Sequence, residues 1–186
     1  MSEKTLQKDL ELMIKYRTIN ITDYIEEEHT QLYCEALMIM NQKDIKKQKK
    51  YPKWKPDPIF INIDTGGGSV VDAFGVIGYA KRCIAPIHTH CESKAYSMGI
   101  PLFLMGDKRS IGENATFMIH GIWSMYTGKL PEMADDLAYS YLLQSKIDNI
   151  ITSETNITQK KLDKLYKKRK DWWFDADIAR GLDFEK

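Results

Sequence analysis

Cysteine is scarce in this chain. Its 186 residues hold three, Cys34, Cys83 and Cys91, an odd number with no CxxC spacing. That argues against a disulfide framework and against a zinc knuckle, and makes reduced, structural thiols the expectation. Long apolar runs are missing too: the longest nearly apolar stretch, Ala95 to Gly106, is too short to cross a bilayer. Nor is there a surplus of one charge. The 27 basic residues face 26 acidic ones for a formal net charge of +1, so no global field points to nucleic acid as a partner. The opening residues, MSEKTLQKDLELM, are polar and acidic and unlike a secretory leader. These absences predict a cytoplasmic protein with neither a membrane nor a nucleic-acid partner. There is no internal repeat, and no GK[ST], which excludes a Walker A loop.

What is present is ordinary globular material, 43% apolar and 28% charged, enough for one domain over 1–186 with a substantial core. Its charge is uneven locally. Residues 42–58 carry seven lysines and three prolines, and residues 160–170 carry seven basic side chains. The first is read as a lysine-rich surface loop and the second as a solvated helix face.

Periodicity predicts a helix over 5–16, a short strand at RTINI, and a helix over 25–41 with Leu32, Ala36, Met38 and Met40 on its apolar side. PIFINID reads as a buried strand. Glycines 66–68 turn the chain into a helix whose face is Val70, Phe74, Ile77 and Ala80. PIHTHC is the next strand, with a helix expected at Ser97. KRSIGENATFMIH reads as a turn and a strand ending on His120. Pro131 opens a long helix to about Thr155, and a last helix spans 158–169. Alternating strands and helices imply an α/β fold with a parallel sheet.

Three features carry chemistry. The glycine turn lacks the third glycine and the distal acid of a dinucleotide fingerprint, which leaves exposed N–H groups suited to an oxyanion. Ser97 alone reads as a helix cap, and His120 alone as a core histidine. In a parallel sheet, however, strand ends and helix starts gather at one edge. A serine, a histidine and a glycine turn there form an acyl-transfer set. Pro101, four residues after Ser97, predicts that the helix starts late, because its ring would meet the Ser97 carbonyl. His88 and His90 share one side of a strand but lack a third metal ligand. Lys94 could suggest a serine–lysine dyad, but it is expected to point away. Trp172 and Trp173 read as packing residues.

Four segments, in this order, resemble the ClpP family: INIDTGGGSVVDAFGVIGYAKR its strand–PGGSV–helix segment, SKAYSMG its nucleophile motif, KRSIGENATFMIH the strand delivering its histidine, and KDWWFDADIARGLDF its C-terminal segment. The resemblance implies the ClpP/crotonase-like repeated β-β-α spiral fold, with 131–155 as a protruding handle helix and 42–58 as an insertion. It implies a serine endopeptidase that needs no cofactor and no metal, with Ser97 as nucleophile, His120 as base and Asp171 as orienting acid. Asp163, Asp175 and Asp177 are the other candidates for that acid. The N–H groups of Gly68 and Met98 match the oxyanion hole. Ser69 and Val70, and Gly121, Ile122 and Trp123, match strand edges that bind an extended polypeptide. The resemblance further implies a homo-oligomer, a heptameric ring or double ring, and an AAA+ unfoldase partner. The family has a proline where this chain has Gly66, and Gln-Pro where it has GIWSMY after His120. Alternatives are a virus-type head-maturation protease of the same fold, an inactive ring subunit, and a crotonase-type acyl-CoA enzyme.

Overall fold

The computed structural model describes residues 3–186. After a first helix, α1 (Glu3–Tyr16), the chain repeats one pattern four times. Each turn has a strand in a first layer, a strand or one or two bridging residues in a second layer, and then a helix. The first turn is β1 (Thr18–Ile21), Ile25 and α2 (Glu27–Lys50). The second is β2 (Ile59–Ile63), the bridging residues Thr65 and Gly68, and α3 (Val70–Lys81). The third is β3 (Ile87–Cys91), β4 (Lys94–Tyr96) and α4 (Gly99–Leu104). The fourth is β5 (Lys108–Ile111), β6 (Thr116–Ile119) and α5 (Leu130–Glu154). Helix α6 (Gln159–Lys167), β7 (Trp172–Asp175) and α7 (Ala176–Gly181) complete the chain.

The first-layer strands form a parallel sheet in the order β1-β2-β3-β5, and the second-layer sheet runs β4-β6-β7 with β7 antiparallel. Side chains alternate across a strand, so each first-layer strand turns one set of residues inward. Ile19, Ile21, Ile59, Ile61, Ile63, Ile87 and Ile111 are all buried. The opposite set forms two rows across the sheet, Thr18–Phe60–His88–Lys108 and Asn20–Asn62–His90–Ser110. No residue of these rows is fully buried. PIFINID is therefore a half-buried strand, with Phe60 exposed.

Three further expectations change. The lysine-rich stretch is helical to Lys50, and only residues 51–58 are loop. Lysine and glutamine are good helix formers, and the helix is anchored through Asp44, which is buried. Arg17 donates to both Asp44 carboxylate oxygens (3.2 and 2.8 Å) and to the carbonyls of Asp57 and Pro58. Met38, placed on the apolar side by its spacing, faces solvent, while Tyr33 and Leu37 are buried instead. The tract KRSIGENATFMIH holds two strands, one in each layer.

The core's aromatic centre is Phe103, Phe117, Phe174 and Phe184, with Phe117 stacked on Phe174 at 5.5 Å. A buried guanidinium fastens the C-terminal tail beside it. Arg109 donates to the carbonyls of Leu104, Asp183, Phe184 and Glu154, and to the Glu154 carboxylate at 2.8 Å. Replacing it strands those acceptors, a loss of about 3–5 kcal/mol for a broken buried pair. Arg109→Met is expected to lower unfolding stability by that order in urea titrations; an unchanged midpoint would contradict the anchoring role.

Candidate active site

The repeat itself gathers the site. Ser97 follows β4, His120 follows β6, and the glycine turn occupies the matching place in the second repeat, so all three meet at one end of the second layer. Thr65, fully buried, ties the glycine turn to β4. Its N–H donates to the Lys94 carbonyl, its carbonyl accepts from the Tyr96 N–H, and its hydroxyl accepts from the Gly67 N–H at 3.1 Å.

Ile25 pairs with the turn on its other side. Its N–H donates to the Gly67 carbonyl (2.9 Å), and its carbonyl accepts from the Ser69 N–H (2.8 Å). In a parallel bridge of this kind the intervening residue turns its own N–H the other way. Gly68 thus directs its N–H away from Ile25, on the side of the cleft that it lines. Both glycines are required. Gly67 and Gly68 have φ of +97° and +146°, and added Cβ atoms would lie 2.7 Å from the Ser97 Cβ and 2.3 Å from the Ile25 carbonyl oxygen.

Ser97 sits at φ +52°, a left-handed conformation that costs a non-glycine residue on the order of 1–3 kcal/mol. Its N–H donates to the Met118 carbonyl at 2.9 Å and its carbonyl accepts from the Ile100 N–H at 3.1 Å. The hydroxyl does not cap α4, whose N-cap is Met98; it lies 2.7 Å from His120 Nε2. Pro101 is harmless because α4 starts at Gly99, which puts the proline in the first turn, where N–H groups have no helical acceptor. Among the described residues, the N–H groups of Met98 and Gly68 have no acceptor. They are free to receive a negative oxygen beside the Ser97 hydroxyl.

For Ser97 to donate to Nε2, His120 must carry its proton on Nδ1. The β6–β7 ladder pairs Ile119 with Trp172, so the next step of that register sets Asp171 opposite His120. The two line the same cleft, yet among the described residues no hydrogen bond joins them. The competing carboxylates are engaged elsewhere. Asp175 caps α7 through the Ile178 N–H, Asp177 pairs with Arg180, and Asp163 accepts from Gln159.

Two clefts flank the histidine. One, of about 280 Å³, is bordered by Ser97, Met98, Gly68 and Val70 and walled by Ile147 and Ile151. The other, of about 540 Å³, contains Asp171, Arg169, Lys170 and the aromatic rings of Tyr126, Tyr141 and Tyr166. His120, Ile122 and Trp123 border both.

Some groups of the expected strand edges are already engaged within the chain. Ser69 spends its N–H on Ile25 and its hydroxyl on capping α3, and Val70 is already the first residue of that helix. The Ile122 N–H is taken by Gln144 Oε1 at 2.7 Å. Lys94 borders neither cleft. His90 bonds Ser110 and Glu92, each at 2.8 Å, and His88 meets Phe60 edge-on. Trp172 packs on Phe174 with the Lys161 ammonium 3.6 Å from its ring centroid, while Trp173 is exposed and edge-on to Tyr96. Sequence reasoning passed over Thr65 and Gln144, neither of which carried a visible signal.

A strained serine hydrogen-bonded to an imidazole, beside unspent backbone N–H groups, is the equipment of an acyl-transfer hydrolase. The Clp protease family model matches residues 1–182, and the chain belongs to that family. It is 25% identical over 183 residues to the ATP-dependent Clp protease proteolytic subunit 2 of Borreliella burgdorferi, covering 96% of this chain and 86% of that protein. Against the chloroplastic ATP-dependent Clp protease proteolytic subunit 3 of Arabidopsis thaliana it is 24% identical, covering 77% of this chain and 45% of that one. Against the ATP-dependent Clp protease proteolytic subunit of Deinococcus radiodurans it is 28% identical, covering 56% and 52%. Among the described residues no helix is long and apolar enough to cross a membrane.

Gly67→Ala is expected to disrupt the Ser97 turn through both its φ and the clash. The variant should melt several degrees lower, as a loss of roughly 1–3 kcal/mol implies. A melting curve identical to the parent's would show that the glycine is dispensable.

Proposed function

We propose that this protein is a serine endopeptidase that hydrolyses unfolded polypeptides within an oligomeric chamber. The observation that carries this reading is the 2.7 Å Ser97–His120 hydrogen bond beside the free N–H groups of Gly68 and Met98. In the first half-reaction His120 Nε2 takes the Ser97 proton as the hydroxyl oxygen attacks the scissile carbonyl. The two N–H groups meet the developing oxyanion. The proton then passes to the leaving amine, and water, deprotonated by the same imidazole, releases the acyl group and regenerates the serine. Asp171 is assigned as the carboxylate that holds the Nδ1–H tautomer.

Helix α5 supports the oligomeric part. Its buried residues, Ile147, Asp148 and Ile151, fall in the last third, while Leu130, Leu137, Tyr139, Tyr141 and Leu142 stand exposed on the rest. An exposed apolar helix of this length favours contact with further copies, as in a heptameric ring or a double ring. Relatives named ATP-dependent proteolytic subunits support an AAA+ unfoldase as the partner that delivers substrate. Unpaired thiols at Cys34, Cys83 and Cys91 fit a cytoplasmic setting.

A second reading is an inactive ring subunit, favoured by the absence of a His120–Asp171 hydrogen bond. A fluorophosphonate probe separates the two. The native protein should be labelled at Ser97, and His120→Ala should slow labelling on the order of 10⁶-fold, the cost in kcat of losing a triad base. A folded oligomer that resists the probe and leaves fluorogenic peptides intact would favour the inactive reading. Asp171→Asn should lower kcat with KM nearly unchanged, because it acts through the imidazole rather than on bound substrate; parent-like kcat would remove Asp171 from the set.

A further inference from the structure

The wall between the two clefts is the segment that leaves His120, and its backbone is tied down from behind. Gln144, on α5, accepts the Ile122 N–H at 2.7 Å. Its amide can sit only one way round. The amide nitrogen donates to Asp148 Oδ1 at 2.9 Å and to the Tyr166 hydroxyl at 3.0 Å, and an ionised carboxylate is an acceptor only. The carbonyl end must therefore face Ile122. Asp148 is buried and is fixed in turn by donors on three sides: Gln144, the Tyr166 hydroxyl at 2.7 Å, and Gln159 at 2.8 Å on its other oxygen. Burial, with the Asp148 hydrogen bond, pushes the Tyr166 hydroxyl well above its ordinary range, so it stays a donor. The Tyr166 ring also closes on the backbone, with Cδ1 3.3 Å from where a Cβ on Gly121 would lie.

We propose that Gln144 is a positioning residue that sets the register in which this wall accepts substrate, an inference that rests on the peptidase reading above. Along an extended segment successive residues turn their N–H and carbonyl groups to opposite sides. Holding the Ile122 N–H against α5 turns the polar groups of Gly121 and Trp123 outward to a peptide laid beside His120. The buried carboxylate decides the orientation of Gln144, and Gln144 decides which backbone groups the peptide meets.

The test separates extended binding from chemistry at Ser97. Gln144→Met keeps the volume and loses every hydrogen bond. It is expected to lower kcat/KM for a peptide of six or more residues on the order of tenfold, the worth of about 1.4 kcal/mol, mainly through KM. Hydrolysis of p-nitrophenyl acetate and labelling by a small fluorophosphonate should stay within about twofold. Tyr166→Phe, which keeps the ring, should show the same pattern more weakly. The double variant Gln144→Glu with Asp148→Asn restores an acceptor toward Ile122 and a donor behind it, and should recover peptide cleavage. Equal losses for the peptide and the small probes, or none for either, would overturn the proposal. Amide exchange at Ile122 reads the same contact without any activity. Protection in the parent that survives in Gln144→Met would overturn the proposal, even in a protein that no probe labels. Loss of that protection in an unlabelled protein would uphold the contact and count against the peptidase reading alone.

Discussion

Everything at the site depends on how closely two pieces of backbone approach one another: the glycine turn at 67–68 and the left-handed turn at Ser97. No side chain fits between them, because a Cβ on Gly67 would lie 2.7 Å from the Ser97 Cβ and 2.9 Å from the Tyr96 carbonyl oxygen. That proximity brings Gly68 and Met98 to the border of the cleft that Ser97 also lines. It is maintained from two directions, by Thr65 bridging to Ala95 and by Ile25 bridging to Gly68. Substantial strain at Ser97 persists only because the surrounding hydrogen bonds over-determine it. The geometry of the site is thus a product of main-chain packing before any side chain acts.

Two arginine anchors, Arg109 buried and Arg17 partly buried, follow the same logic at the ends of the fold. Arg17 gathers the lysine-rich end of α2 and the loop behind it onto the first strand. Arg109 gathers the end of α5 and the C-terminal tail onto β5. Each donates to backbone carbonyls as well as to a carboxylate, and each joins segments more than 25 residues apart. The second anchor bears on the site indirectly, because it holds the base of α5, from which Gln144 reaches the histidine segment.

What could be read in advance, and what could not, divides along physical lines. Isoleucine-rich strands and the glycine run announce themselves locally, and the α/β character and the neighbourhood of Ser97 and His120 follow from them. Strand β4 is only three residues long, too short for a period-two pattern to register, so Ser97 looked like the start of a helix rather than the end of a strand. The helical reach of α2 to Lys50 was hidden because a run of lysines resembles a solvated loop until a distant arginine is found to hold Asp44. That Asp171 falls opposite His120 is a matter of antiparallel register between β6 and β7, which lie far apart in the chain and which no local pattern connects. Gln144 was invisible for a different reason. A glutamine on a helix has no distinctive spacing, and its importance arises only from three-dimensional neighbours.

The polar row Asn20–Asn62–His90–Ser110 has a bearing on how the sheet assembles. The Asn62 side-chain amide donates to Asn20 Oδ1 at 2.7 Å, and His90 meets Ser110 at 2.8 Å. These partners sit on adjacent strands, back to back with the isoleucines on the other surface. Sliding β1, β2 or β3 by one position would push an amide or imidazole into hydrocarbon while lifting an isoleucine into water. Misaligned pairings are penalised twice over, so the four strands have one alignment in which both surfaces are content.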